Sequence, residues 1–111
     1  MVVEEDRLDA VFHALANRTR RQLVVELAKR PARVNELARP HGMSVNAISK
    51  HLMVLEKAGL VERHREGNVQ SCVLNAKALG DADNWIGVYR RYWADQLDSF
   101  AEFVEGKAGT P

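Results

Sequence analysis

The sequence predicts a mainly α chain with one β-hairpin, in the order α-α-α-α-β-β-α. Three observations carry that expectation. Apolar residues recur at three- and four-residue spacing up to Ala58, the period shortens to that of paired strands over residues 60–74, and helical spacing returns over residues 81–105. At 111 residues and 12.5 kDa the chain has the size of one domain, residues 1–111. With 46% hydrophobic and 28% charged residues it has the balance of a folding chain rather than a disordered one.

Each element has its own signal. Residues 6–16 place Leu8, Val11, Phe12 and Leu15 at helical spacing until Asn17 interrupts. Residues 19–29 repeat the pattern with Leu23, Val24 and Leu27, ending before Arg30-Pro31 because proline disfavours helix in the residue ahead of it. A short third helix over 34–39, bearing Leu37 and Ala38, is expected to stop at Pro40 and a turn at Gly42. Ser44 is placed to cap a fourth helix, its hydroxyl accepting an amide hydrogen bond, and the helix runs to Ala58 before Gly59 ends it. Residues 60–65 and 69–74 are strand-length runs joined by Glu66-Gly67-Asn68, whose Gly and Asn tolerate the positive φ of a hairpin turn.

The last helix, over 81–105, carries Trp85, Tyr89, Tyr92, Trp93, Leu97, Phe100, Phe103 and Val104 on or near one stripe. A small domain has little chain left to cover such a stripe, so a second subunit is its expected cover. The competing expectation packs it onto the first helix within a monomer.

The net charge of +1 hides an uneven distribution. Residues 18–65 hold eleven Lys or Arg against four Glu, a surplus of seven, while the outer segments are acidic. A basic centre suits phosphate, although charge alone is equally the mark of a solvated surface. Two short helices, a turn through Pro40-His41-Gly42-Met43 and a capped helix form a helix-turn-helix, and the hairpin makes it winged. That arrangement sends the fourth helix into a DNA major groove.

At about 100° per residue, Val45, Ile48, Leu52 and Leu55 share the buried side of that helix. Asn46, Lys50, Met53 and Lys57 then point away, with Ala47, Ser49 and His51 on the shoulders. Asn46 suits a bidentate contact to adenine and Lys50 the acceptors of guanine, while Ser49 and His51 suit phosphates or base edges. Arg18, Arg20 and Arg21 open the second helix, and Arg63, His64 and Arg65 precede the wing tip. These are expected to meet phosphate, giving affinity without sequence choice, unless Arg20 or Arg21 pairs internally with Glu26 or with the first helix. The expected DNA-binding set is Arg18, Arg20, Ser44, Asn46, Ala47, Ser49, Lys50, His51, Arg63 and Arg65. The core that carries it spans about residues 18–75.

Several classes are excluded. No apolar run reaches the roughly 18 residues of a membrane helix, and the acidic start Met1-Val2-Val3-Glu4-Glu5-Asp6 is unlike a signal peptide, so a soluble cytoplasmic protein without membrane contact is expected. A lone cysteine, Cys72, cannot make an internal disulfide, and four scattered histidines give no closed zinc site. Cys72 alternates with Gln70 and Leu74 and reads as a small buried strand residue; a redox sensor would want an accessible thiol and a resolving partner. No nucleophile–base motif, glycine-rich phosphate loop or metal cluster supports an enzyme, and no cofactor is expected.

Three segments carry a resemblance: residues 12–21 (FHALANRTRR), 34–38 (VNELA) and 49–61 (SKHLMVLEKAGLV). In that order they resemble the ArsR/SmtB family of bacterial winged-helix repressors, over about residues 8–104. The resemblance implies a homodimer held by the first and last helices, at about 6–16 and 81–105. Its interface would use Leu8, Val11, Phe12, Trp85, Tyr89, Tyr92, Trp93, Leu97, Phe100 and Val104. It implies an inverted-repeat operator in double-stranded DNA and release of that DNA by an effector.

The chain departs from metal-sensing relatives, which carry two cysteines where Ala38 and Pro40 stand here. No histidine follows His64 to complete a metal site on the last helix. Asn68-Val69 also stands where relatives carry wing-tip arginines, which leaves Arg63 and Arg65 as the wing cations. A small organic effector between the aromatic last helices would rest on Trp85, Tyr89, Tyr92 and Trp93. The alternative function is a winged-helix protein-interaction module whose aromatic last helix binds a different protein.

Overall fold

Apolar side chains from every element meet in one core in a computed structural model, which describes residues 2–109. The order is α1 (Val2–Leu15), α2 (Arg18–Lys29), α3 (Val34–His41), α4 (Val45–Lys57), β1 (Val61–Glu66), β2 (Val69–Leu74) and α5 (Ala76–Gly109). Leu23 of α2, Ile48, Leu52 and Leu55 of α4, Leu60 and Cys72 are fully buried, and Val11 and Ala14 of α1 join them. Burying a side chain of the Leu or Ile kind contributes about 1.5–3 kcal/mol, so α4 is held chiefly by the one face that those three residues form.

Local chemistry sets the ends of the helix-turn-helix. Asn17 caps α2, its Oδ1 accepting from Arg20 N at 3.1 Å, and Ser44 Oγ caps α4 by accepting from Ala47 N at 3.1 Å. Both α3 and α4 close with the same paired hydrogen bonds. Gly42 N donates to Arg39 O and Met43 N to Ala38 O, while Gly59 N donates to Glu56 O and Leu60 N to Leu55 O. This closure needs a left-handed residue, which Gly42 at φ +60° and Gly59 at φ +76° supply without a Cβ penalty. The expected stop of α3 at residue 39 is therefore corrected. Pro40 lies inside the last turn, where its missing N–H forfeits one hydrogen bond, and the helix ends only where Gly42 turns the chain.

The wing is an antiparallel pair running in register from Val61↔Leu74 to Glu66↔Val69. Only Gly67 of the turn has positive φ; Asn68 does not. The linker between α2 and α3 adds one isolated antiparallel bridge to the two-stranded sheet. Ala32 N donates to Cys72 O at 3.1 Å and Cys72 N to Ala32 O at 2.7 Å, which ties the wing to the helices. One residue has no period, so nothing in the sequence announced this pairing.

The last helix begins at Ala76, five residues before the expected start at 81. Asn75 Oδ1 accepts from Lys77 N at 3.1 Å, and Ala78 and Ala82 are buried in the first turns. Alanines contribute too little apolar mass to mark a stripe, which is why the start read late. Residues 88–106 are exposed throughout. Among the described residues no helix is long and apolar enough to cross a membrane.

Candidate nucleic-acid interface

The burial of α4 divides it cleanly. Ile48, Leu52 and Leu55 face the core, while Asn46, Lys50, Met53 and Lys57 are exposed and Ala47, Ser49 and His51 lie half-buried between them. Val45 departs from expectation. It is 49% exposed because the first turn of α4 overhangs the core, and Met43, just ahead of the Ser44 cap, packs there instead. Ser44 is exposed, but its oxygen is engaged in the cap.

The expected phosphate-binding cations separate into two groups. Arg18, Lys50 and Arg65 are exposed and have no partner among the described residues, and Lys57 at the far end of α4 is likewise unpaired. Arg20 and Arg63 are engaged inside the protein. Arg20 Nε donates to Ala14 O at 2.7 Å and its Nη2 to His13 O at 3.0 Å, while Arg21 Nη1 donates to Leu15 O at 2.8 Å. The two arginines thus cap carbonyls at the end of α1, of which His13 O also accepts from Ala16 N at 3.2 Å. Of the internal pairings expected for them, the first helix receives both, through its carbonyls and not its carboxylates. Arg63 Nε donates to Glu56 Oε1 at 2.6 Å, and this half-buried pair fastens β1 to α4. Neither Arg20 nor Arg63 is the free cation that the basic segment suggested, because each lies where a second element supplies an acceptor.

Two histidines bridge the helices. His41 Nε2 lies 3.0 Å from Glu26 Oε2 across α3 and α2, and His51 Nδ1 lies 3.4 Å from Arg20 Nη1. Burial, then the charge of Arg20 and then His41 lower the His51 pKa below its usual 6.5. Cys72 is fully buried and burial raises its thiol pKa, so it is held as an inert thiol. No group of three or more metal-ligating side chains occurs among the described residues.

The interface residues expected on α1 and α5 are differently placed. Val11 is 1% exposed and belongs to the chain's own core, so it has no surface to offer a partner. Phe12 packs edge-on to Trp85 at 5.6 Å between ring centroids, and Trp85 lies against Tyr89 at 4.7 Å, leaving Leu8 half-buried beside α5. Tyr92, Trp93, Leu97, Phe100 and Val104 are exposed, as are Ile86 and Val88, which the reading of the stripe missed. Part of the stripe does therefore pack onto α1, as the competing expectation held, but only its first turns.

A capped helix held by one apolar face, its polar face open between unpaired cations and beside a hairpin, defines a winged helix-turn-helix DNA-binding protein. Comparison with known proteins places it further. The family model described as bacterial regulatory protein, arsR family, matches residues 17–63, from the α2 cap into β1. HTH-type transcriptional regulator Rv2034 of Mycobacterium tuberculosis is 33% identical over 99 residues, spanning 89% of this chain and 90% of that protein. Transcriptional repressor SdpR of Bacillus subtilis is 30% identical over 79 residues, spanning 71% and 88%. The solution structure of the homodimeric winged helix-turn-helix DNA-binding domain of Mb0332 from Mycobacterium bovis, a possible ArsR-family regulator, is 28% identical. It superposes with a TM-score of 0.64 over 88% of each chain. The chain belongs to the ArsR family and is a DNA-binding transcriptional regulator.

Proposed function

We propose that this regulator is a homodimeric repressor acting in the cytoplasm on an inverted-repeat operator. One α4 enters each of two successive major-groove half-sites about 34–36 Å apart. The observation that carries this reading is the open face of α4, where Asn46 and Lys50 are exposed while Ile48, Leu52 and Leu55 are buried. Asn46, Ala47, Ser49, Lys50 and His51 then read base edges or the nearest phosphates, and Arg18 and Arg65 bind backbone. The dimer is supported by α5, on which Trp93, Leu97 and Phe100 are each more than 60% exposed, a patch of the kind that soluble monomers rarely leave bare. The homodimeric state of the Mb0332 domain and the repressor activity named for SdpR point the same way.

Light scattering on the full chain, followed by selection from a pool of randomised duplexes and footprinting of the winner, tests the reading. A dimer that protects two half-sites about one helical turn apart is expected. A monomer, or a chain that selects no sequence, refutes it. A reporter driven by the selected site should lose transcription when the protein is present, and a gain would replace repression by activation.

A further inference from the structure

Arg20 stands where three elements meet. Its Nε and Nη2 are anchored on the Ala14 and His13 carbonyl oxygens at the end of α1, and its Nη1 reaches His51 Nδ1 on α4. A guanidinium carries only donors, so Nδ1 is the acceptor in that contact. A neutral imidazole that accepts at Nδ1 carries its proton on Nε2. His51 Nε2 has no partner among the described residues, and no buried side-chain nitrogen among them lacks one, so Nε2 is open to solvent. It stands beside the exposed Lys50 on the helix that faces DNA.

We propose that Arg20 is a positioning residue for DNA recognition, using its anchorage on α1 to hold His51 as a neutral donor whose Nε2–H meets an acceptor on the DNA. The inference rests on the reading of α4 as the DNA-facing helix. The acceptor is a base-edge nitrogen or oxygen or a phosphate oxygen, and in either case the donor is preset before DNA arrives. The charged or titratable groups facing His51 are Arg20 from α2 and His41 at the end of α3; α1 contributes only main-chain carbonyls to the network. Both side chains, with burial, favour the neutral ring that the geometry requires.

Two measurements on the full chain test the proposal. The first is an NMR titration of the His51 ring in wild type, in Arg20→Met and in Arg21→Met, which removes the neighbouring bond to α1 without touching His51. The wild-type midpoint should lie below 6.5, rise in Arg20→Met and stay put in Arg21→Met; an Arg20→Met ring that titrates like wild type overturns the positioning.

The second is binding to the duplex that wild type selects from a randomised pool. His51→Gln, whose amide nitrogen reaches the place of Nε2, should bind within about threefold of wild type, and His51→Asn, which reaches only the place of Nδ1, should lose about tenfold or more. Loss confined to the selected duplex assigns a base-edge acceptor, and equal loss on a scrambled duplex assigns a phosphate. If wild type selects a duplex and His51→Asn binds it equally well, this inference falls alone. If wild type selects none, the operator reading falls with it.

Discussion

Arg63 and Arg65 are separated by one strand residue, yet the structure pairs the first and leaves the second free, and the salt dependence of DNA binding should distinguish them. Arg65 is exposed and unpaired near the wing tip, whereas Arg63 is held 2.6 Å from Glu56 with its side chain 21% exposed. Each phosphate neutralised by a protein cation contributes about −0.9 to the slope of log K against log salt, so over a fourfold rise in salt one contact is worth about 3.5-fold in affinity. Arg65→Ala should therefore flatten the slope by about 0.9 and leave thermal stability unchanged. Arg63→Ala should leave the slope nearly unchanged but loosen β1 from α4. A half-exposed ion pair contributes about 0.5–1 kcal/mol, and in a domain of this size that is roughly 2–6 °C in Tm, measured at fixed protein concentration because a dimer's Tm depends on it. Fluorescence anisotropy at four salt concentrations, with calorimetry on the same samples, gives both quantities. An Arg63→Ala slope that falls as far as that of Arg65→Ala would refute the assignment of Arg63 to the Glu56 pair.

Three further outcomes are expected. Ser44→Ala removes the α4 cap and should cost about 1 kcal/mol of stability, read by thermal unfolding; no loss would mean that the bond to Ala47 N contributes nothing. Cys72 is fully buried with a raised pKa, so a thiol reagent should modify native protein only as fast as it opens, and reaction at the free-thiol rate would place the sulfur at the surface. The lowered His51 pKa sets a pH dependence: the unfolded chain takes up a proton near 6.5 while the folded chain resists it. This contribution is complete above 6.5, is lost as pH falls towards the folded value and stays lost below it. His51→Gln should remove that part of the profile, and an identical profile in the variant would show that another group titrates.

Much of the domain was legible because its signals are local. Ile48, Leu52 and Leu55 share a face at helical spacing, Ser44 sits one residue ahead of the helix it caps, and Gly42 and Gly59 permit the left-handed turns that end α3 and α4. The exposure of Asn46 and Lys50 followed from the same geometry. What misled was also local: Pro40 reads as a stop but stands in the last turn of α3, and Val45 fits the apolar period but lies where the helix has outrun its core.

The partners of the charged residues were not legible in this way. A guanidinium looks the same in sequence whether it will meet phosphate, a carboxylate or a helix end. Only the approach of α1 to α2 placed the carbonyls of residues 13–15 beside Arg20 and Arg21, and only the return of β1 along α4 placed Glu56 beside Arg63. The pairing of Ala32 with Cys72 and the contact of Arg20 with His51 likewise join residues tens of positions apart. The sequence alone determined which helix presents a polar face and where it begins and ends, because hydrophobic period and capping act within a few residues. The tertiary structure alone decided which cations remain free around that helix, because pairing depends on distances that only the packed elements set.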